Sequence, residues 1–240
     1  MALITLTSDF GEGSPYVAAM KATLLSGCPG ATLIDVSHSV PVFDVVAGGF
    51  ILWAGTRHFE PGAVHLAVVD PGVGRDRRAV AFLVRGSWYV GPDNGLFGLV
   101  LAEAEPDQPY GVELLRPLMA SPTFEGRDVF APAAAALAAG HSPETLGLPL
   151  SRPLVGLAVR DPCVLWVDRF GNLVTSLKPP VSGLRINNRE VRTLARTFDD
   201  APPNTPFLYV GSMGYVEVGL RRARADLRLG AKPGTLIEPL

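Results

Sequence analysis

Short apolar runs that stop abruptly in polar residues dominate the first part of the chain. Ala2 to Thr7 reads as a strand and ends at Ser8-Asp9-Phe10-Gly11. Ser14-Pro15 opens a helix, because proline is tolerated at the first helical position. Tyr16, Met20, Leu24 and Leu25 form its apolar face, and Gly27 and Pro29-Gly30 stop it. Thr32 to Val36 predicts a second buried strand, ending in Ser37-His38. Asp44 to Thr56 predicts a second helix, rich in small residues at Ala47-Gly48-Gly49. Leu66 to Val69 is a continuous apolar run, which suits a strand buried on both faces. It ends in Asp70, and Pro71, Gly72 and Gly74 turn the backbone. Ala79 to Val84 and Ser87 to Val90 pair as a hairpin through Arg85-Gly86. A dense turn signal, Gly91-Pro92-Asp93-Asn94-Gly95, precedes a third helix from Leu96 to Ala104. An alanine-rich helix is expected from Val129 to Ala139. Strands alternating with helices predict a layered α/β domain with right-handed crossovers.

After about Leu150 the pattern changes to short β-rich runs. These are Cys163 to Val167, Asn172 to Leu177, Leu184 to Ile186, Phe207 to Val210 and Tyr215 to Leu220. Turn residues separate them, as in a small sandwich or barrel. The expected fold is therefore an α/β layered sandwich over residues 1–155 and a smaller, barrel-like all-β domain over residues 156–240. The boundary falls within Ser151 to Asp161. Clefts between domains are preferred ligand sites.

Composition narrows the function classes. The 240 residues are 48% hydrophobic, enough for a substantial core. A net charge of −2 offers no nucleic-acid surface. No apolar run approaches the ~20 residues needed to span a membrane. The N-terminus lacks the basic segment and apolar core of a signal peptide. Cys28 and Cys163 match no metal spacing, and a reduced, cytoplasmic protein is the simplest expectation.

No phosphate-binding loop, zincin helix or nucleophile elbow is present. His38, His58, His65 and His141 are scattered and read as structural. The chemical signal is instead polar residues that terminate apolar runs: Asp9, His38, Asp70, Asp93-Asn94 and Thr123 to Asp128. One alone is a turn or a cap; several suggest a site assembled along one sheet edge, where open α/β folds bind ligands. Arg77 and Arg78 return toward Asp70 before the next apolar run. The second domain adds Asp168-Arg-Phe-Gly-Asn172 and Gly211-Ser-Met-Gly-Tyr215.

Taken together, Thr7-Ser-Asp-Phe-Gly11, Asp35-Val-Ser-His38, Val69-Asp-Pro-Gly-Val-Gly74, Val90-Gly-Pro-Asp-Asn-Gly95, Gly126-Arg-Asp-Val-Phe-Ala-Pro132 and Asp168-Arg-Phe-Gly-Asn172 closely resemble the S-adenosyl-L-methionine hydroxide adenosyltransferase family. Its members are hydrolytic relatives of fluorinating and chlorinating enzymes. The resemblance runs in order along nearly the whole chain. It implies attack of water or hydroxide at ribose C5′ of S-adenosylmethionine (SAM), releasing methionine and leaving adenosine. It implies no metal or cofactor, no nucleic-acid or membrane partner, and a homotrimer with sites at subunit interfaces. The family's aspartate and arginine match Asp70 and Arg77, with Arg75 and Arg78 left as alternatives for the latter. Halogenating relatives carry tyrosine where Asp70 stands, and a carboxylate there repels halide.

For substrate binding, the resemblance places Asp9 on the ribose hydroxyls, since a carboxylate accepts two hydrogen bonds from a vicinal diol. Asp168 and Ser212 fall near the methionine amine and carboxylate, and Phe170 and Asn172 on adenine. The same motifs bring Phe10, Ser14, Thr123, Phe124, Gly126 and Met213 into the substrate site. Three positions depart from the family pattern. Glu125 stands where the hydrolases carry histidine; it either accepts a proton from water or points away. Ser14 replaces a common aspartate, and Met213 an aromatic residue or arginine. Two other readings stand beside hydrolysis: adenosyl transfer to chloride, and a binding module for adenosine or SAM without turnover.

Overall fold

The structure is a computed structural model that describes residues 2–104, 109–157 and 162–240. It divides into two compact units, Met1–Ala158 and Val159–Leu240. Of the stretch expected to carry the boundary, residues 158–161 lie outside the described residues.

The first unit contains β1 (Leu3–Ser8), α1 (Pro15–Gly27), β2 (Thr32–Ser37), α2 (Val45–Thr56), β3 (Val64–Val68), β4 (Ala79–Val84), β5 (Ser87–Pro92), α3 (Gly98–Leu101), β6 (Gly111–Leu114), a π-helical turn (Gly126–Phe130), α4 (Ala131–Ala138) and β7 (Gly147–Pro149). One seven-stranded mixed sheet has the order β2-β1-β3-β5-β4-β6-β7. β1, β2, β3 and β5 run parallel, whereas β4, β6 and β7 pair antiparallel. β3 is buried throughout, as its unbroken apolar run requires. Leu66 and Val68 join the core with Met20 and Leu24 of α1 and Ala134 of α4. Val69, out of phase with them, meets Gly48 of α2.

Sequence signals place most of these elements. Ser14 caps α1 by accepting from the Tyr16 N–H at 3.3 Å, and Asp44 caps α2 through the Ala47 N–H at 2.9 Å. The β4–β5 hairpin turns on Arg85 and Gly86, at φ 51° and 74°; positive φ at both central residues matches the twist of the strands. Other expectations need correction. β2 is an edge strand and largely exposed, not buried, with Asp35 at its centre paired to Lys21 at 2.5 Å. On α1, Val17, Met20 and Leu24 are buried while Tyr16 and Leu25 face outward. The expected third helix shrinks to the four residues of α3, whose first residue, Gly98, packs directly on Leu157.

The second unit contains β8 (Val164–Val167), β9 (Leu173–Thr175), β10 (Leu184–Ile186), β11 (Arg189–Val191), β12 (Thr193–Leu194), β13 (Pro206–Val210), β14 (Val216–Leu220), α5 (Ala225–Leu229) and β15 (Ile237–Pro239). These strands form two open sheets, of orders β12-β13-β14-β9-β8 and β11-β10-β15, around a core that includes Val164, Leu173, Leu184, Leu208 and Val218. No closed barrel forms among the described residues. The strands instead divide between a five-stranded and a three-stranded sheet.

Candidate active site

The order of strands explains why distant motifs meet. From β1 the chain moves through α1 to β2 on one side, then returns through α2 to β3 on the other side of β1. Such a reversal opens a crevice beyond the carboxyl ends of the two central strands. Ser8 pairs with Val68, so Asp9 and Asp70 both emerge there. β5 is parallel to β3 and delivers Asp93 and Asn94 to the same edge, where Asn94 Nδ2 donates to the Val69 carbonyl at 2.9 Å. β4 is antiparallel to β5, so its leading residues, Arg77 and Arg78, lie at that edge too.

The two arginines divide the work. Arg77 Nε donates to Asp70 Oδ2 at 2.9 Å, and its Nη2 contacts the same oxygen. Arg78 is buried and turned toward Asp93, donating from Nε to Oδ2 at 2.8 Å. Its Nη1 and Nη2 donate to the carbonyls of Arg152 and Pro153, while Asp93 Oδ1 accepts from the Val155 N–H. Arg78 therefore pins the 152–155 segment. Arg75 is exposed.

Glu125 does not point away. It is 4% exposed, and its Oε2 lies 2.5 Å from Arg77 Nη2. That contact is an ion pair without aligned hydrogen-bond geometry, and Oε2 has no aligned donor among the described residues. On its other side, Arg116 Nε donates to Oε1 at 2.8 Å. Glu125 immediately precedes the π-helical turn, which leads into α4. The neighbouring Gly126 packs closely on α1, where a Cβ would sit 3.1 Å from Met20 Sδ. A π turn at a helix start commonly marks a functional site. Burial favours the neutral form of Arg77, but hydrogen bonding to Asp70 and the charges of Asp70 and Glu125 outweigh it and raise its pKa above the ordinary value.

The remaining predicted residues of this unit fall into two groups. Phe10 and Phe124 pack edge to face at 6.0 Å, with Tyr16 5.1 Å from Phe124. Asp9 is half-buried and its Oδ2 accepts from the Phe43 N–H at 2.9 Å, with no hydrogen bond to Oδ1 among the described residues. Ser14 serves as a helix cap, and Thr123 is exposed beside Ser121. In the second unit, Asp168 follows β8 and accepts from the Phe170 and Asn172 N–H groups and from Asn172 Nδ2 at 2.8–2.9 Å. This loop projects Phe170, 76% exposed, into a groove of about 500 Å³ that Phe198, Arg222 and Arg224 also line. Ser212 is exposed and Met213 half-buried, in the turn that joins β13 to β14. Among the described residues, no three His, Cys, Asp or Glu side chains group as metal ligands.

Sequence models of the SAM hydroxide adenosyltransferase N-terminal and C-terminal domains match residues 4–147 and 162–238. The chain belongs to that family. The (R)-S-adenosyl-L-methionine hydrolase of Thermus thermophilus is 44% identical to it, over 95% of each chain. A fluorinase from an Actinoplanes species is more distant, 27% identical over 98% of this chain and 96% of its own. The crystal structure of an uncharacterized conserved protein from Thermotoga maritima superposes with a TM-score of 0.87 at 30% identity, covering 99% of this chain and 100% of that one.

Among the features of this SAM hydroxide adenosyltransferase that sequence reasoning missed, Arg116 stands out. It lies on an otherwise exposed stretch with Leu115, Leu118 and Met119, and no motif marks it. Phe198, Arg222 and Arg224 were missed for the same reason: folding, not spacing, brings them beside Phe170.

Proposed function

We infer that the chain hydrolyses SAM to adenosine and L-methionine, with Asp70, Arg77 and Glu125 as the centre that handles the attacking water. The observation that carries this reading is the buried Asp70–Arg77–Glu125 chain at the sheet's switch point. Asp70 Oδ2 is taken up by Arg77, whereas among the described residues Oδ1 accepts one long bond, 3.2 Å, from the Gly72 N–H. Oδ1 is thus the oxygen placed to accept a hydrogen from water. Arg77 Nη1 is a buried donor with no partner among the described residues, suited to hold the same water's oxygen.

The chemistry asks little more. The water oxygen forms a bond to C5′ as the C5′–S bond breaks. That electron pair passes to sulfur, and methionine leaves as a neutral thioether. The surplus proton passes to a carboxylate and then to solvent. In-line positioning and proton acceptance supply the acceleration. Asp70, Arg77 and Glu125 act as the catalytic residues. Asp9, Phe10, Ser14, Thr123, Phe124, Gly126, Asp168, Phe170, Asn172, Ser212 and Met213 bind substrate. The working assembly is a homotrimer with sites at subunit interfaces, in the cytoplasm, and the reaction needs no added cofactor.

Incubating purified protein with SAM, with and without concentrated chloride, tests the reading. Adenosine is the expected main product in both. A dominant 5′-chloro-5′-deoxyadenosine peak would assign the protein to halide transfer, and no turnover with retained affinity would make it a binding module.

A further inference from the structure

We propose that Arg116 is a positioning residue for hydrolysis that acts through Glu125 and is required because a carboxylate occupies that position. The proposal rests on the reading of Asp70, Arg77 and Glu125 as the reaction centre.

Asp70 and Glu125 are 8% and 4% exposed, and one guanidinium, Arg77, contacts both. Two buried carboxylates against one cation leave a negative charge uncompensated, and an uncompensated buried charge is strongly unfavourable. Arg116 closes the deficit. Its Nε donates to Glu125 Oε1 at 2.8 Å, and its Nη2 donates to the Arg77 main-chain carbonyl, also at 2.8 Å. One side chain thus fixes the carboxylate that steers Arg77 and the backbone that carries it. The result is a line of alternating charge: Asp70, Arg77, Glu125, Arg116.

Position separates the roles. Arg116 is 37% exposed and lines a groove of about 460 Å³ with Gly74, Asp76, Ser121 and Glu125. It has no contact with Asp70 among the described interactions, so its effect on the reacting water runs through Glu125 and Arg77. A neutral histidine at position 125 would leave Asp70 and Arg77 balanced as one pair, and a second cation would have nothing to neutralise. Without Arg116, Glu125 can draw Arg77 away from Asp70, and the water loses its alignment.

The test is a double-mutant comparison of steady-state adenosine release. Arg116→Gln in the native protein should lower kcat by about tenfold to a hundredfold, the span of one or two misaligned charge-assisted bonds. KM should move less than about twofold, because Arg116 touches the water-handling centre and not the substrate. Arg116→Lys, which keeps the charge, should recover part of the rate. In a Glu125→His background the cost of Arg116→Gln should shrink to less than about twofold, the signature of coupled residues. Equal losses in both backgrounds would overturn the proposal, because Arg116 would then act only through the Arg77 carbonyl or the fold. No loss in the native background would overturn it too. Asp70→Asn separates the two readings: if it retains the native rate, the reaction centre itself is misassigned. If it is inactive while Arg116→Gln is unimpaired, only the role of Arg116 falls.

Discussion

Replacing Glu125 with glutamine preserves its shape and removes its charge. Arg77 Nη2, 2.5 Å from Oε2, and Arg116 Nε, 2.8 Å from Oε1, would then face a neutral amide. A hydrogen bond to a charged group contributes about 1.5–3 kcal/mol, against about 1 kcal/mol for a neutral one. Weakening the grip on Arg77 alone therefore costs about 0.5–2 kcal/mol of alignment. At 1.36 kcal/mol per decade, that is roughly a twofold to thirtyfold loss of rate. Proton acceptance by Glu125 would add to it, toward roughly a hundredfold or more in total. Steady-state adenosine release, resolved by chromatography and run beside a thermal unfolding control, reads the effect. Glu125→His should hold or raise the rate. A Glu125→Gln variant that folds normally and turns over at the native rate would make Glu125 a bystander and refute the reasoning.

Three further outcomes follow from the geometry. Asp9→Ala should weaken adenosine binding by about 1.5–3 kcal/mol for each charge-assisted bond lost; unchanged affinity in calorimetry would remove Asp9 from the site. Arg78→Ala should destabilise the fold by about 3–5 kcal/mol, since it leaves the buried Asp93 carboxylate unpaired and frees two carbonyls of the 152–153 segment. A urea-unfolding loss below about 1 kcal/mol would contradict that. His65 is buried against Thr5 and the Phe59 and Tyr89 rings, and burial pushes its pKa from 6.5 down to about 4. Between those values the unfolded chain binds the extra proton, so stability falls as the pH drops from 6.5 toward 4. The loss totals on the order of 3 kcal/mol, and His65→Gln should flatten that part of the urea-derived stability profile.

The legible parts of the fold were those whose signals are local. Ser14-Pro15 and Asp44 mark helix starts because their side chains cap within three residues. Arg85-Gly86 marks a hairpin because the turn sets the register. The return of an arginine toward Asp70 was readable because the chain leaves β3 and returns to β4 at one sheet edge. Long-range features were not. Thr32 to Val36 looks like a core strand, and only its place at the sheet edge exposes it. β6 and β7 are three or four residues long and contain Gly111, Gly147 and Pro149, which mask their strand character. Choosing Arg77 over Arg78 needed Asp93, and the burial of Glu125 needed Arg116, which lies 39 residues from Arg77.

The central claim is that water supplies the atom that replaces sulfur at C5′. Turnover of SAM in oxygen-18-labelled water, followed by mass spectrometry of the nucleoside, tests it most directly. Adenosine carrying one heavy oxygen at the 5′ position is expected, with unlabelled methionine as co-product. A nucleoside product without the label, or cleavage that leaves sulfur on the ribose, would contradict it.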